Sequence, residues 1–572
     1  MSELAEKGPR LTALKNQEFD LAIIGGGVIG AGIARDAASR GLKVALFEKY
    51  DYASGTSSRS TRLIHGGLRY LEMLDFGLVR MDLKEREILL KIAPHLVRPL
   101  AFIVPFYRRS LFYRFKLTIG MWLYDWLSFD KSLPNHKNFN KKQTLELEPS
   151  LRSEGLQGSQ MYYDGQVPLA ERLNFENIYA AQQKGAFTFN YASVEGLIRE
   201  DGRVTGVRVK DVLPGADAGE VEVKARLVIN ATGAWLDGLE QKLTGEASRR
   251  VRRTKGIHFT APRTINNAIV LFAEEDDRLF FVIPWLGYSW VGTTDTDFET
   301  ELESVQADGE DVAYLLASVR SVFPKADWDT IFYTNAGVRA LVRQGKAGSK
   351  DESAVSRKHA LVDHEKVGDA PGLLSVVGGK LTAYRGIAEE AVDQAAKKLK
   401  VKVKSTTRSE LLPGGMMGKV EDYIKGLTER AARFSLTEPQ IQNLVNLYGK
   451  RSEDLLALIE ADGKLAGPIH PTYPDVRAQL LYAVEQEQCQ TLRDFMMRRT
   501  ALYFSPDQGR QAASLVSDEL AALLGWNAER KALEEAAYAQ ELAWTQAWKG
   551  DVAPENLPVS QPERLKPVPV SR

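Results

Sequence analysis

Cysteine is nearly missing from this chain of 572 residues, where Cys489 stands alone. A single thiol forms no internal disulfide framework and no cysteine-rich metal centre; Cys489 reads as a small core hydrophobe. No other residue cluster resembles a metal site. An excess of either charge is missing as well: 75 basic and 75 acidic residues cancel, leaving no net field to gather nucleic acid. Long hydrophobic runs are also absent. No uncharged apolar stretch reaches the ~20 residues needed to cross a bilayer. The longest candidate, LFFVIPWLGYSWVGTT from Leu279, is broken by Pro284, Gly287 and Gly292 and alternates as strands do. The amino-terminal MSELAEKGPRLTALKNQEFD lacks the apolar core of a secretory signal. A cytoplasmic protein is expected, with any membrane contact peripheral.

With 44% hydrophobic and 26% charged residues, the composition is that of a globular protein. Its length calls for two to four domains. Residues Phe19–Lys49 read as strand, glycine turn, helix, strand. Leu21-Ala22-Ile23-Ile24 suits a buried parallel strand, and Gly25, Gly27 and Gly30 form G-x-G-x-x-G. In that pattern the first glycine makes a tight turn, the second admits a pyrophosphate, and the third allows close helix–strand packing. The helix that follows offers its N–H groups and positive dipole end to the phosphates. Glu48 ends the second strand, Val44-Ala45-Leu46-Phe47, where a carboxylate takes ribose hydroxyls. An acid there argues against a 2′-phosphate and leaves FAD and NAD both open. Two further junctions separate them. Leu227–Trp235 is an apolar strand ending in Ala231-Thr232-Gly233, and Leu373–Val377 runs through Gly378-Gly379 towards a helix. Three such junctions far apart in sequence suggest one nucleotide domain assembled from separated pieces. A helix start at the last could stabilise charge on a reduced flavin.

These features, with Ser57–Leu71 (SSRSTRLIHGGLRYL), Ile283-Pro284-Trp285, Val291–Asp295, Ala336–Arg339, Val377–Thr382 and Thr491–Phe495, resemble the FAD-dependent, respiratory sn-glycerol-3-phosphate dehydrogenases from about Phe19 to Ser505. The resemblance implies an α/β protein with α+β parts. Its components are a Rossmann-like FAD domain of glutathione-reductase type, an inserted antiparallel-sheet substrate domain and an all-helical C-terminal domain. The expected boundaries are 19–99, 185–253 and 335–397 for the FAD domain, 100–184 and 254–334 for the substrate domain, and 405–548 for the helical one. Amphipathic stretches beyond Ser405 fit the last, with Thr437 as an N-cap. Residues 549–572 form a proline-rich tail expected to be disordered.

The implied reaction oxidises C2 of glycerol 3-phosphate to dihydroxyacetone phosphate by hydride transfer to FAD N5, with electrons passed to ubiquinone or menaquinone. A phosphorylated polyol needs cations for its dianion and a base for its hydroxyl proton. Arginine binds phosphate oxygens in pairs. The resemblance points to Arg69, Tyr70, Arg339, Arg357 and Lys380 for substrate. It assigns catalysis to His258 as leading general base, with Arg339 and Lys380; His65 is the rival base. Thr56, Ser57 and Ser58 are expected at the pyrophosphate and ribityl chain. His65, Gly66, Gly67, Gly233, Gly378, Gly379, Lys380, Leu381 and Thr382 complete the cofactor set, while Arg59 and Arg62 receive no role.

Arg98–Trp126 mixes aromatics with arginine and lysine. It suits an interfacial surface or a buried helix pair beside the substrate site, and both readings stay open. The family adds attachment to the inner face of the cytoplasmic membrane, and a homodimer is possible. One alternative is an oxygen-using oxidase releasing hydrogen peroxide; the family's oxidases carry a long insertion not found here. The other is a non-catalytic FAD- or nucleic-acid-binding protein using the basic run; no nucleic-acid partner is expected.

Overall fold

The computed structural model describes residues 10–67, 75–107, 111–214, 219–245, 249–273, 275–276, 278–343 and 358–550. Arg69, Tyr70, Arg357 and nearly all of the expected tail lie outside the described residues.

Strand β1 (Glu18–Ile24) pairs in parallel with β2 (Val44–Phe47) on one side and Glu220–Asn230 on the other. Leu373–Val377 and Phe187–Phe189 extend this parallel sheet in opposite directions. Leu21, Ile23, Leu227 and Ile229 pack against helices α1 (Val28–Ser39) and Tyr384–Leu399. On the opposite face Ala22, Ile24, Ala45 and Phe47 meet Val194, Val207 and Val209 of an antiparallel meander. Burial on both faces removes any need for polar alternation, so the central stretches Leu21–Ile24, Val44–Phe47 and Leu227–Ile229 are unbroken apolar runs.

In a second sheet, Val251–Ala261 pairs antiparallel with Tyr333–Val342 and Tyr288–Gly292. The sheet continues through Leu279–Trp285, Ala268–Phe272, Arg98–Phe106 and Gly158–Gln166 to the short Leu63–Ile64. One pairing within it, Ala268–Phe272 with Arg98–Phe106, is parallel.

Three segments lie elsewhere than the expected boundaries put them. Residues 335–342 and Leu63–Ile64, expected with the cofactor domain, belong to the second sheet. Helix Ala170–Gln183, expected with the substrate domain, packs on α1. The chain crosses between layers at these points, and an apolar pattern specifies burial without specifying the partner. Beyond residue 405 the structure is helical; Thr437 occupies the N-cap position of Glu438–Tyr448 as expected, and the Gln440 side chain reaches back to accept from its N–H at 2.8 Å.

Candidate functional site

A cleft of about 1250 Å³ is lined by the carboxyl ends of β1 and β2 and by the Ala231–Gly233 and Gly378–Gly379 junctions. Open α/β sheets bind ligands at that edge. Gly25 has φ +105°, and a Cβ there would lie 2.7 Å from the Ala231 carbonyl oxygen. At Gly30 a Cβ would fall 1.9 Å from the Gly25 carbonyl oxygen, so this position serves helix–strand packing. Beside Gly27 the nearest atom to such a Cβ is Ser57 Oγ at 3.3 Å, which leaves the approach to α1 open. The Val28 N–H at the start of α1 donates to Ser57 Oγ at 2.9 Å. Glu48 lines the cleft and accepts from the N–H groups of Gly26 at 2.6 Å and Tyr50 at 2.8 Å. Burial pushes its pKa up against these donors, and its remaining lone pairs suit ribose hydroxyls.

These residues fit FAD. An acid terminates β2, Gly27 leaves the approach to the start of α1 open, and the cleft exceeds the roughly 300–1,000 Å³ of a typical small-molecule pocket. Thr56, Gly233, Gly378, Gly379, Lys380 and Leu381 line the same cleft. Thr56 also anchors the second sheet, its Oγ1 donating to the Val338 carbonyl at 2.6 Å.

Other expected cofactor residues hold one another. His65 N–H donates to Thr382 Oγ1 at 3.1 Å, tying the His-Gly-Gly run to the last glycine junction. Gly66 has a packing role: its N–H donates to Tyr124 Oη at 3.1 Å, and a Cβ would come within 2.7 Å of that oxygen and of Leu83. Ser58 faces a separate small cavity, its Oγ donating to the Gly55 carbonyl at 3.2 Å.

His258 and Arg339 stand on the paired strands Val251–Ala261 and Tyr333–Val342. The His258 ring is buried and stacks on Trp290 at 4.8 Å, with Nε2 3.0 Å from Thr61 Oγ1. Burial, then the positive charges of Arg339 and Arg62, hold its pKa well below 6.5. A neutral imidazole is the state a general base requires. Arg339 donates to Thr293 Oγ1 (2.8 Å), the Thr294 carbonyl (2.9 Å) and Asp295 Oδ1 (3.2 Å). Gly256 makes room for it, since a Cβ there would lie 2.1 Å from the guanidinium. Lys380 enters the cleft with Nζ 2.6 Å from Asp82 Oδ2. Asp82 is fully buried, and burial raises its pKa to about 6 against the opposing pull of Lys380.

Asp82, Thr61 and Asp295 were not singled out by the sequence. Thr61 sits in the Ser57–Leu71 run and Asp295 in the Val291–Asp295 motif, whereas Asp82 lies in no such motif. Arg62 is the larger omission. It is fully buried, forked onto both oxygens of Glu171 at 2.8 Å, and flanked by Trp285 and Phe504. A buried arginine is held by paired acceptors, and its partner here lies 109 positions away.

Residues 20–389 match the model of a family described as FAD dependent oxidoreductase, and residues 405–531 match the C-terminal domain of alpha-glycerophosphate oxidase. A glycerol-3-phosphate dehydrogenase of Synechocystis is 40% identical over 90% of this chain and 95% of its own. Glycerol-3-phosphate dehydrogenase 2 of Mycobacterium bovis is 36% identical over 99% of this chain and 96% of its own. The structure of the glycerol-3-phosphate dehydrogenase from Bacillus halodurans complexed with FAD superposes with a TM-score of 0.76 at 29% identity, covering 95% of this chain and 98% of that one.

Proposed function

Because the chain belongs to the FAD-dependent oxidoreductases, among the glycerol-3-phosphate dehydrogenases, we propose that it oxidises sn-glycerol 3-phosphate to dihydroxyacetone phosphate. The observation that carries this reading is near full-length similarity to dehydrogenases of that name, together with a dinucleotide cleft whose wall includes Lys380. FAD, when bound, supplies the two-electron acceptor for the hydride leaving C2. The protein binds and orients the substrate and takes the hydroxyl proton. His258 is the proton acceptor, its ring held at Nε2 by Thr61 Oγ1 while Nδ1 carries no hydrogen bond. Arg339 holds the phosphate, and Lys380 adds a point charge at the cleft wall; Arg69, Tyr70 and Arg357 complete the anion site.

Stopped-flow spectroscopy tests this. Anaerobic glycerol 3-phosphate is expected to bleach the yellow enzyme, and His258→Ala to slow bleaching about 10²–10⁴-fold, the usual contribution of a positioned base. Failure of the wild type to bleach would overturn the substrate assignment, and an unchanged rate in the variant would remove His258 from the base role.

The electron acceptor is proposed to be a membrane quinone, reached by peripheral attachment. No helix among the described residues is long and apolar enough to cross a membrane. Helix Leu111–Leu127 supports surface attachment: Phe115, Ile119, Trp122 and Trp126 are exposed along one side, while Met121 and Tyr124 are buried on the other. Faster reoxidation by a ubiquinone analogue than by oxygen is expected; the reverse order would favour the oxidase.

A further inference from the structure

The C-terminal helices meet the cofactor domain at the loop that follows Glu48. One side of this loop belongs to the cleft: Lys49, Tyr50, Ser54, Thr56 and Ser57 line it. The other side is buried, with Asp51, Tyr52 and Ala53 at 1%, 0% and 1% exposure. Asp51 Oδ2 accepts from Arg498 Nε at 2.5 Å and an Arg499 guanidinium N–H at 2.7 Å, and Oδ1 accepts from Arg499 at 2.9 Å and Asn190 Nδ2 at 2.9 Å. A turn of π-helix, Phe495–Arg499, directs both arginines inward, and such turns recur at functional sites. Tyr52 Oη donates to Gln488 Oε1 at 2.7 Å. Its ring wedges under the glycine turn, close enough that a Cβ on Gly26 would lie 2.7 Å from it. The Ala53 N–H completes the link, donating to the Gly26 carbonyl at 3.2 Å.

We propose that the C-terminal helical domain is a cofactor clamp: Arg498, Arg499 and Gln488 hold Asp51 and Tyr52 so that Glu48, Gly26 and Ser57 stay in the geometry that binds FAD. The inference rests on FAD occupying the cleft at Gly25–Glu48. Neither arginine lines that cleft, so both are positioning residues. Their effect is pre-organisation, which strengthens binding by removing an ordering cost from the free protein. A network serving only to hold two domains together needs no contact with the glycine turn, whereas Tyr52 makes one.

Fluorescence titration of FAD into the full-length apoprotein tests the clamp, alongside thermal unfolding with and without FAD. Arg499→Lys keeps the charge but loses the two-pronged contact, and is expected to raise the Kd for FAD at least tenfold. Tyr52→Phe keeps the ring, loses the Gln488 bond, and is expected to raise it about threefold. In both, the gain in unfolding temperature given by FAD should shrink. Kd values within twofold of wild type, with only a lower unfolding temperature, would overturn the clamp and leave an interdomain contact. If Arg499→Lys does not fold, Tyr52→Phe decides alone. Failure of the wild type to take up FAD would instead refute the cofactor assignment.

Discussion

Lys380 and Asp82 show how one side chain acquires its role from another. An ammonium at the wall of a partly dry cleft is drawn towards whatever acceptor is near, and here the acceptor is a carboxylate 2.6 Å away on helix Phe76–Ile92. Asp82 also faces Glu85 and Asp164, both of which raise its pKa. Asp82→Asn is expected to slow flavin reduction about tenfold, the loss of roughly 1.4 kcal/mol of positioning. In a Lys380→Met background the same change should do nothing further, because coupled residues are not additive. The pH dependence has a definite sign. Asp82 is ionised above about 6, so the ion pair exists there and is lost as pH falls through that value. The flavin absorption spectrum of substrate-free wild type should shift across this range, and that of Asp82→Asn should not.

At the scale of elements, what could be read from the sequence was whatever is local. The strand–glycine–helix units declared themselves because a turn, a close approach and a buried parallel strand each demand particular residues within a few positions. Pairings across the chain left no such mark. Arg62 looked like one more polar residue in a basic run, and only the fold brings Glu171, Trp285 and Phe504 around it. Arg98–Trp126 illustrates an intermediate case, in which composition left two readings open. It divides into the strand Arg98–Phe106 and most of the helix Leu111–Leu127. That helix presents a buried face against the site, where Tyr124 holds Gly66, and an apolar face to solvent. Trp122 and Trp126 are 66% and 68% exposed, more than packing would leave, and contiguous exposed apolar residues mark interaction surfaces. Trp122→Glu with Trp126→Glu is therefore expected to reduce sedimentation with anionic lipid vesicles at least tenfold. Flavin reduction by soluble substrate should be unaffected.

At the scale of the whole molecule, the buried charge around Glu487 forms a neutral group with partners from distant parts of the chain. Glu487 receives both Arg172 prongs, at 2.7 and 2.8 Å, and Arg451 at 2.8 Å; Arg451 also reaches Glu176 at 3.0 Å. The Glu487 carboxyl is held down at about 2 by Arg172 foremost, overcoming its burial. Its contribution to stability is therefore full above the ordinary value of 4.5 and declines as pH falls towards about 2. Glu487→Ala strands the buried Arg172 and leaves Arg451 with Glu176 as its remaining carboxylate; it is expected to cost about 3–5 kcal/mol, read as a lower thermal unfolding temperature at pH 7. Glu487→Gln should lie between it and wild type.

The position of β1 has a consequence for synthesis. Among the described residues it is the earliest strand in chain order, yet it lies inside its sheet between β2 and Glu220–Asn230, with Leu373–Val377 beyond. A nascent chain therefore carries an unpaired apolar edge until residue 230 has left the ribosome, and it lacks a cleft wall until Lys380 follows. Arg498 and Arg499 emerge later still. The cleft wall is thus complete only once the chain has been made to Lys380, and the proposed clamp only once it has reached Arg499.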